Sequence, residues 1–155
     1  MDSKRVFIGI DVGTSGLKMV ALDDVTKEII FNTSSHYETR YPNETWTEQD
    51  PSSWVVALRD VVYQFTKAFG QSLIAGIGVT GQMHTTVVTD EEYKVLRPAI
   101  LWSDLRAQEY CSQITKTYAD FFSELGGPLL QNYSFAKLLW IKENEPNLFL
   151  KLQHE

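Results

Sequence analysis

A six-residue motif beginning at Asp11 combines a carboxylate, two glycines and two hydroxyl side chains between two strand-like runs. Gly13 and Gly16 allow a tight turn that directs backbone N–H groups into one concave space. Thr14 and Ser15 add hydroxyl donors, so the turn suits an oxyanion such as a terminal phosphate. Asp11 ends a strand and can hold Mg²⁺ directly or through water. On spacing alone, a plain β-hairpin turn that needs glycine explains the motif at least as well.

A second group of polar side chains follows the apolar run at 73–80. Gln82 and His84 both donate and accept hydrogen bonds, which suits the hydroxyls of a polyol, and Met83 offers an apolar contact. Ligands usually bind at strand ends in open α/β sheets, so this segment is a candidate sugar site. The alternative is that His84 begins the next strand as an ordinary surface histidine.

A third group, Trp102, Asp104 and Arg106, places an aromatic ring beside a carboxylate and a guanidinium. Sugar sites often use these types, because a ring stacks on the carbon chain and charged groups bind vicinal hydroxyls. Taken alone, Asp104 is better explained as an acid favoured at a helix N-terminus, and Arg106 as a solvated or ion-paired side chain.

The composition argues against other kinds of function. The formal net charge is −6 without any cluster of Lys or Arg, which disfavours nucleic acid or an anionic membrane as partner. Three scattered histidines and one cysteine do not suit a zinc site. No apolar run has the length of a membrane span, and the first residues do not predict a secretory signal. Cys111 cannot form an internal disulfide, so we expect a cytoplasmic protein.

The elements that must position these groups begin with strands and then change period. Strands predicted at 6–10, 17–22 and 28–35 are joined by tight turns, which is typical of an antiparallel meander. A helix is predicted from Asp50 and Pro51 to a cap at Gly70. Its buried positions, at three- and four-residue steps, are predicted to be Trp54, Leu58, Val61, Val62, Phe65 and Phe69.

The rest of the chain continues the alternation. Further strands are predicted at 73–80, 85–89 and 99–102. A second helix is predicted from near Ser103 to Gly126 and Gly127, burying Ala107, Tyr110, Ile114, Tyr118 and Phe121 or Phe122. Ser134 is expected to cap a third helix carrying Leu138, Leu139 and Ile141, and a fourth is expected to start at Pro146. Without an internal linker signal, this order predicts one α/β layer with helices on a mixed sheet.

Together these segments resemble the N-terminal domain of the FGGY carbohydrate kinase family. Five segments carry the resemblance in the family's order: 9–18; 48–51 with Trp54; 77–84; 97–106; and 137–140 with 144–146. The resemblance implies an actin-like, ribonuclease-H-like α/β domain, whose mixed sheet contains an antiparallel meander and has flanking helices. It also implies that ATP, Mg²⁺ and a sugar are the small molecules bound.

The resemblance assigns roles to the candidate residues. Asp11, Gly13, Thr14 and Ser15 would lie at the γ-phosphate of ATP and at Mg²⁺, with Asp11 as the metal residue. The sugar site would be lined by Gln82, Met83, His84, Trp102 and Asp104. Gln-Met-His is similar to xylulokinases and also to some gluconokinase-like members, whereas glycerol kinases have Arg-Glu in place of Met83 and His84. We therefore favour D-xylulose as the substrate.

One departure from the family concerns length. Full members are roughly three times longer, which corresponds to more than one ordinary domain. Their general base is an aspartate downstream of every segment matched here, and their nucleotide platform is a second actin-like domain. We therefore expect residues 1–155 to form an N-terminal domain, incomplete at its C-terminus, that is inactive by itself. An exposed interdomain face would favour self-association or pairing with a separate half.

Overall fold

The computed structural model describes residues 5–70 and 73–152. They form two compact units, one within residues 1–39 and 52–82 and the other within 40–51 and 83–155. Each unit is built from two stretches of chain. Domain boundaries are usually recognised in a sequence by a long Gly- or Pro-rich linker. The crossings between these two units have none, so the sequence did not reveal the division.

Six strands and five helices are present in the described part of the chain. The strands are β1 (Arg5–Val12), β2 (Gly16–Asp23), β3 (Ile29–His36), β4 (Glu48–Gln49), β5 (Leu73–Gly81) and β6 (Ala99–Ile100). The helices are α1 (Pro51–Phe69), α2 (Gln108–Thr117), α3 (Ala119–Glu124), α4 (Ser134–Asn144) and α5 (Pro146–Phe149), followed by a 3₁₀ turn at Leu150–Leu152. No helix in the described ranges is long and apolar enough to cross a membrane.

The first unit contains a four-stranded sheet in the order β3-β2-β1-β5. The first three strands pair antiparallel, which confirms the predicted meander, and β5 lies parallel to β1. A parallel pair needs a long connection, and α1 lies in the connection between β3 and β5. The predicted mixed sheet of an α/β fold is therefore present.

The core of this unit lies between α1 and one face of the sheet. Alternate strand residues fill it because side chains along a strand point to opposite faces; they are Val6 and Ile8 of β1 with Leu17, Met19 and Ala21 of β2. Ala57, Val61 and Phe65 of α1 pack against them. The predicted burial of Leu58 and Val62 was wrong, since both are exposed. The buried stripe advances in four-residue steps and leaves these two residues at its margin.

The second unit has little regular sheet. Its β4 and β6 pair over two residues each, and the strands predicted at 85–89 and 99–102 are reduced to β6 and isolated bridges at Thr86 and Thr89. The Asp90 carboxylate accepts the N–H groups of Glu92 and Lys94 and closes a tight turn there. The chain turns back on itself, with Thr89 bridged to Val95 and Thr86 to Ile100, and forms single bridges instead of a continuous strand.

The predicted second helix is shorter than expected and divided. It begins at Gln108 rather than near Ser103, and the backbone leaves helical geometry at Tyr118, which separates α2 from α3. Tyr118, which was predicted to be buried, is exposed. Of the pair Phe121 or Phe122, Phe121 is exposed and Phe122 packs against the core of the second unit. Ser134 is the first residue of α4 and makes no capping bond with its side chain. The helix predicted at Pro146 is confirmed as α5.

Candidate functional site

The motif that begins at Asp11 forms the hairpin turn between β1 and β2, with residues 13–15 between the strands. The Gly13 N–H donates to the Gly16 carbonyl oxygen at 3.1 Å, so this N–H closes the turn instead of facing a ligand. Neither glycine has a positive φ. Close approach explains Gly16, because a Cβ there would lie 2.8 Å from the Ser35 carbonyl oxygen of β3.

The Gly13 carbonyl oxygen accepts two side-chain donors from elsewhere in the first unit. One is the Tyr37 hydroxyl, and the other is the Gln82 amide nitrogen at 3.0 Å. Burial, and secondarily the Asp11 carboxylate, raises the pKa of Tyr37. Gln82 thus fastens the turn, a role the sequence did not predict. Tyr37 was missed because nothing in its local sequence links it to the turn.

Asp11 lies on an open face of the sheet in a row with two other polar residues. The strand register sets it opposite Lys18 of β2 and beside Thr80 of β5. All three line a groove of about 500 Å³, and the Asp11 side chain is exposed. A Cβ at Gly13 would lie 3.1 Å from the Gly16 carbonyl oxygen, which is a tight approach, and in ordinary contact with Asp11 Oδ2 at 3.6 Å.

These residues fit a phosphate-bound Mg²⁺ ion. An exposed carboxylate is a ligand that Mg²⁺ accepts, and in phosphoryl-transfer sites the metal takes its other oxygens from water and phosphate. The described residues contain no group of three or more His, Cys, Asp or Glu side chains arranged for a metal. A cation bound at Asp11 would therefore need further oxygens from water or from a phosphate.

In the second unit, Met83 and His84 form a turn rather than a strand. Met83 is 77% exposed, and His84 is exposed with φ 58°. The His84 ring lies against the Tyr133 ring at the start of α4, with 5.0 Å between the centroids. The alternative that His84 begins a strand is therefore wrong. The turn presents an apolar side chain and an imidazole at the surface of this unit.

Lys137 is completely buried beneath the same turn. Its Nζ donates to the carbonyl oxygen of His84 and lies 3.5 Å from that of Ile100. Burial lowers its pKa to about 8; nearby Asp104 acts in the opposite direction and Arg106 in the same direction as burial. Sequence reasoning missed this residue. The signal was a lysine on the helix stripe that also carries Trp140 and Ile141.

Trp102 and Asp104 have contrasting environments. Trp102 is 46% exposed, whereas Asp104 is 1% exposed. Asp104 Oδ1 accepts the backbone N–H and Nε of Arg106, and Oδ2 accepts Arg106 Nη2 and the Thr47 N–H at 2.6 Å. All of its ordinary acceptor positions are thus used inside the unit. In the structure this carboxylate is buried and bonded to Thr47 and Arg106, and its predicted place in the sugar site stays a prediction.

Asp104 belongs to a buried ion network that frames residues 97–106. Arg106 contacts Glu48 at 2.8 Å, Glu48 contacts Arg97 at 2.6 Å, and Arg97 contacts Glu145 at 2.9 Å. The Arg106 guanidinium also lies over the rings of Trp46 and Trp140, at 4.1 and 4.9 Å. Burial lowers the pKa of Arg97. Arg106 is thus ion-paired, as one half of the alternative expected, and it is not solvated. The network supports a rigid backbone next to Trp102.

Another cleft of the second unit holds none of the predicted site residues. It has a volume of about 440 Å³, and its lining includes Val87, Asp90, Tyr93 and Leu138. It is lined by an aromatic ring and carboxylates that no predicted site contains. The predicted residues are therefore described by unit: Asp11 and its turn in the first, and the 83–84 turn and Trp102 in the second.

Comparisons with known proteins give the family. Residues 6–154 match the model described as the FGGY family of carbohydrate kinases, N-terminal domain. The chain is 37% identical over 150 residues to a xylulose kinase of Lactococcus lactis subsp. lactis, which covers 94% of this chain and 30% of that protein. A solved xylulose kinase from Rhodospirillum rubrum has a TM-score of 0.87 and 28% identity over 95% of this chain and 31% of its own.

A solved gluconate kinase from Lactobacillus acidophilus also resembles the chain, with a TM-score of 0.85 and 25% identity over 96% of this chain and 30% of its own. The chain thus spans about 30% of the length of the relatives it matches. The matches confirm the predicted actin-like α/β fold. The protein belongs to the FGGY family of carbohydrate kinases and corresponds to the family's N-terminal domain.

Proposed function

We propose that this chain supplies the phosphate turn and the sugar-recognition segments of an ATP-dependent kinase that converts D-xylulose to D-xylulose 5-phosphate. The observation that carries the proposal is the Gln82-Met83-His84 segment after β5, with Met83 and His84 exposed in one turn. Relatives named xylulose kinase support the choice of sugar. ATP, a sugar and a single buried thiol suit a cytoplasmic enzyme.

The first unit would bind the nucleotide's terminal phosphate. Asp11 would hold Mg²⁺ directly or through water, and the bound ion would neutralise charge on the phosphate oxygens. The hydroxyls and backbone of Thr14 and Ser15 would donate to those oxygens. Gly13 would allow the tight approach of its own Cα to the Gly16 carbonyl oxygen, with its carbonyl oxygen fixed by Gln82. Thus Gln82 acts by holding the turn.

The second unit would recognise the sugar. Met83 offers an apolar surface to the carbon chain, His84 can donate and accept a hydrogen bond, and the exposed part of the Trp102 ring can stack. Asp104, two residues after Trp102, would fix the backbone of this segment through its bonds to Thr47 and Arg106. In this proposal Asp104 contributes rigidity instead of a hydroxyl contact.

The reaction would transfer the γ-phosphoryl group in line. A bond forms between the primary hydroxyl oxygen of the ketose and the γ-phosphorus, the bond from the γ-phosphorus to ADP breaks, and the hydroxyl proton passes to a general base. The family resemblance places that base, an aspartate, downstream of the segments matched here. We therefore expect the isolated 155-residue chain to bind ligands with negligible turnover.

Two other functions remain open for the same site. Gluconate is one alternative substrate, because a relative at 25% identity is a gluconate kinase. The other is a non-catalytic sugar-binding piece, or a subunit that pairs with a separate second half. This alternative is considered because the match covers 30% of the length of the Lactococcus lactis relative.

Calorimetric titration of the chain with D-xylulose, D-gluconate and glycerol, with and without Mg-ATP, tests the proposal. We expect xylulose to bind best and the Met83→Arg/His84→Glu variant to lose that binding. Val25→Arg, which places an arginine on an exposed turn, is the control and should leave binding unchanged. Tighter binding of gluconate or glycerol than of xylulose would contradict the substrate.

A chimera separates the kinase proposal from the binding-module alternative. The matching stretch of the Lactococcus lactis xylulose kinase is replaced by this chain, and phosphorylation of the three sugars is assayed. ATP-dependent phosphorylation of xylulose supports a kinase domain. A folded chimera that binds xylulose without phosphorylating it would favour the non-catalytic alternative.

A further inference from the structure

Lys137 is an unusual residue for the place it occupies. It lies on the face of α4 that packs into the second unit's core, and its exposed fraction is 0%. Removing an ammonium from water costs several kcal/mol unless hydrogen bonds satisfy its protons. An apolar residue of similar length would fill the space without that cost. We therefore infer that the hydrogen bonds of the ammonium, as well as the volume of the side chain, account for a lysine at this position.

The Lys137 ammonium joins the two segments that carry the exposed sugar candidates. Nζ donates to the carbonyl oxygen of His84 itself and lies 3.5 Å from the carbonyl oxygen of Ile100, two residues before Trp102. Both acceptors are backbone atoms. The contact therefore fixes the course of the chain and leaves the imidazole of His84 and the ring of Trp102 exposed for a ligand.

The His84 backbone is the part of the turn that most needs support. Its φ of 58° lies in the left-handed region, which a residue with a Cβ adopts at some cost in energy. A charge-assisted hydrogen bond to its own carbonyl stabilises this conformation. Tyr133, one helical turn before Lys137, places its ring against the His84 side chain. The beginning of α4 thus contacts His84 through both its backbone and its ring.

We propose that Lys137 is a positioning residue for sugar recognition. By binding the carbonyl oxygens of His84 and Ile100, it fixes the Met83–His84 turn and the Trp102 segment relative to each other. This rests on the proposed function of the turn as a sugar-binding element. Lys137 acts through the backbone and makes no contact with the sugar. The charged groups that face its Nζ are Asp104 and Arg106, and the helix's exposed Lys142 has no part in it.

A sugar-independent measurement tests the contact. The His84 carbonyl carbon is followed by NMR between pH 6 and 10 in the wild-type chain, in Lys137→Met and in Lys142→Met, which removes an exposed lysine from the same helix. We expect a step near pH 8 in the wild type and in Lys142→Met that is missing in Lys137→Met. A carbonyl shift with the same pH profile in all three would overturn the proposal. If Lys137→Met does not fold, Lys137→Arg takes its place, because a guanidinium stays charged over this range and the step should again be missing.

A binding measurement on the same proteins tests the consequence. Loss of a hydrogen bond to a charged group corresponds to a roughly tenfold to hundredfold weaker interaction, so we expect Lys137→Met to bind xylulose at least about tenfold more weakly. Lys137→Arg, which keeps the charge, should recover part of the affinity, and Lys142→Met all of it. Unchanged xylulose affinity in folded Lys137→Met would overturn the positioning role. Absence of sugar binding in the wild type would instead count against the proposed function, since the pH step does not depend on sugar.

Discussion

The side-chain amide of Gln82 donates to the carbonyl oxygen of Gly13 at 3.0 Å, which ties the residue after β5 to the turn between β1 and β2. The Tyr37 hydroxyl donates to the same oxygen. A backbone carbonyl has two acceptor positions, and here two side chains use them. The turn between β1 and β2 is therefore held by two side chains that lie 24 and 69 residues after Gly13 in the sequence.

The shared acceptor predicts coupled effects of Tyr37→Phe and Gln82→Ala. Each change should lower the unfolding free energy by about 0.5–1.5 kcal/mol, the usual contribution of one hydrogen bond. Since either donor alone still satisfies the carbonyl oxygen, the double variant should lose more than the sum of the single losses. Urea denaturation of the four proteins measures this. If the loss in the double variant equals the sum of the single losses, the two hydrogen bonds stabilise the protein independently.

Two glycines of the same sheet should respond differently to alanine. A Cβ at Gly16 would meet the Ser35 carbonyl oxygen at 2.8 Å, whereas nothing lies within 4 Å of a Cβ at Gly78. We expect Gly16→Ala to lower the unfolding free energy by about 1–3 kcal/mol, the usual cost of overpacking. Gly78→Ala is the matched control and should be neutral or slightly stabilising. Equal losses in urea denaturation would show that close approach does not explain Gly16.

The edge strand β5 predicts self-association of the isolated chain. Among the described strands it has one partner, β1, and its Ile77 and Val79 are 60% and 70% exposed. Exposed β-branched residues on a free edge favour pairing with another chain. We expect dimers or larger species at micromolar concentration, which Ile77→Lys/Val79→Lys should reduce. Light scattering after gel filtration measures both, and a strictly monomeric wild type would contradict the expectation.

Local patterns in the sequence were enough to predict the first unit. The strand runs, the turn at Asp11 and the cap at Gly70 each depend on a few neighbouring residues, and the structure confirms the meander, α1 and β5. The start of α2 could not be predicted in this way. Residues 101–107 are held by distant partners, for example by the bond from Leu105 N–H to the Thr45 carbonyl oxygen. The spacing of apolar residues along the chain does not reveal such long-range contacts.

Residue type alone supplied the candidate site, and its residues stay predictions. The exposure of Met83 and of part of Trp102 agrees with surface contacts. The burial of Asp104 could not be predicted, because a carboxylate looks the same in a sequence whether it faces a sugar or a buried guanidinium. Lys137 was overlooked for a related reason, since only tertiary packing reveals a lysine at a core position.

The buried ammonium of Lys137 predicts a particular pH dependence of stability. Its pKa is about 8 in the folded chain, against an ordinary value of 10.5. Between these values the unfolded chain holds a proton that the folded chain has released, so the unfolding free energy rises with pH in that window. Below pH 8 both states are protonated and the cost of burial is fully present.

The comparison with Lys137→Met isolates this effect, because other lysines and tyrosines titrate in both proteins. We expect the wild type to gain at most about 3 kcal/mol relative to the variant between pH 8 and 10.5. Urea denaturation at half-unit steps measures the difference. A difference that falls or stays flat with pH would show that the ammonium is not destabilised by its burial.

Trp102 and Asp104 allow recognition of the sugar to be separated from support of the fold. Asp104→Asn removes the charge that faces Arg106 and leaves that guanidinium buried beside a weaker partner, so we expect a loss of about 3–5 kcal/mol of unfolding free energy. Trp102→Ala removes a half-exposed ring, and its loss of stability should be smaller. Trp102→Ala should lose more xylulose affinity than Asp104→Asn does. The affinity of Asp104→Asn is measured at a temperature well below its denaturation midpoint, where this variant is folded. Thermal denaturation and calorimetry of both variants test this pairing. The opposite pattern, with a stable Asp104→Asn that no longer binds xylulose, would restore Asp104 as a direct sugar ligand, because a buried structural carboxylate cannot be removed without cost to the fold.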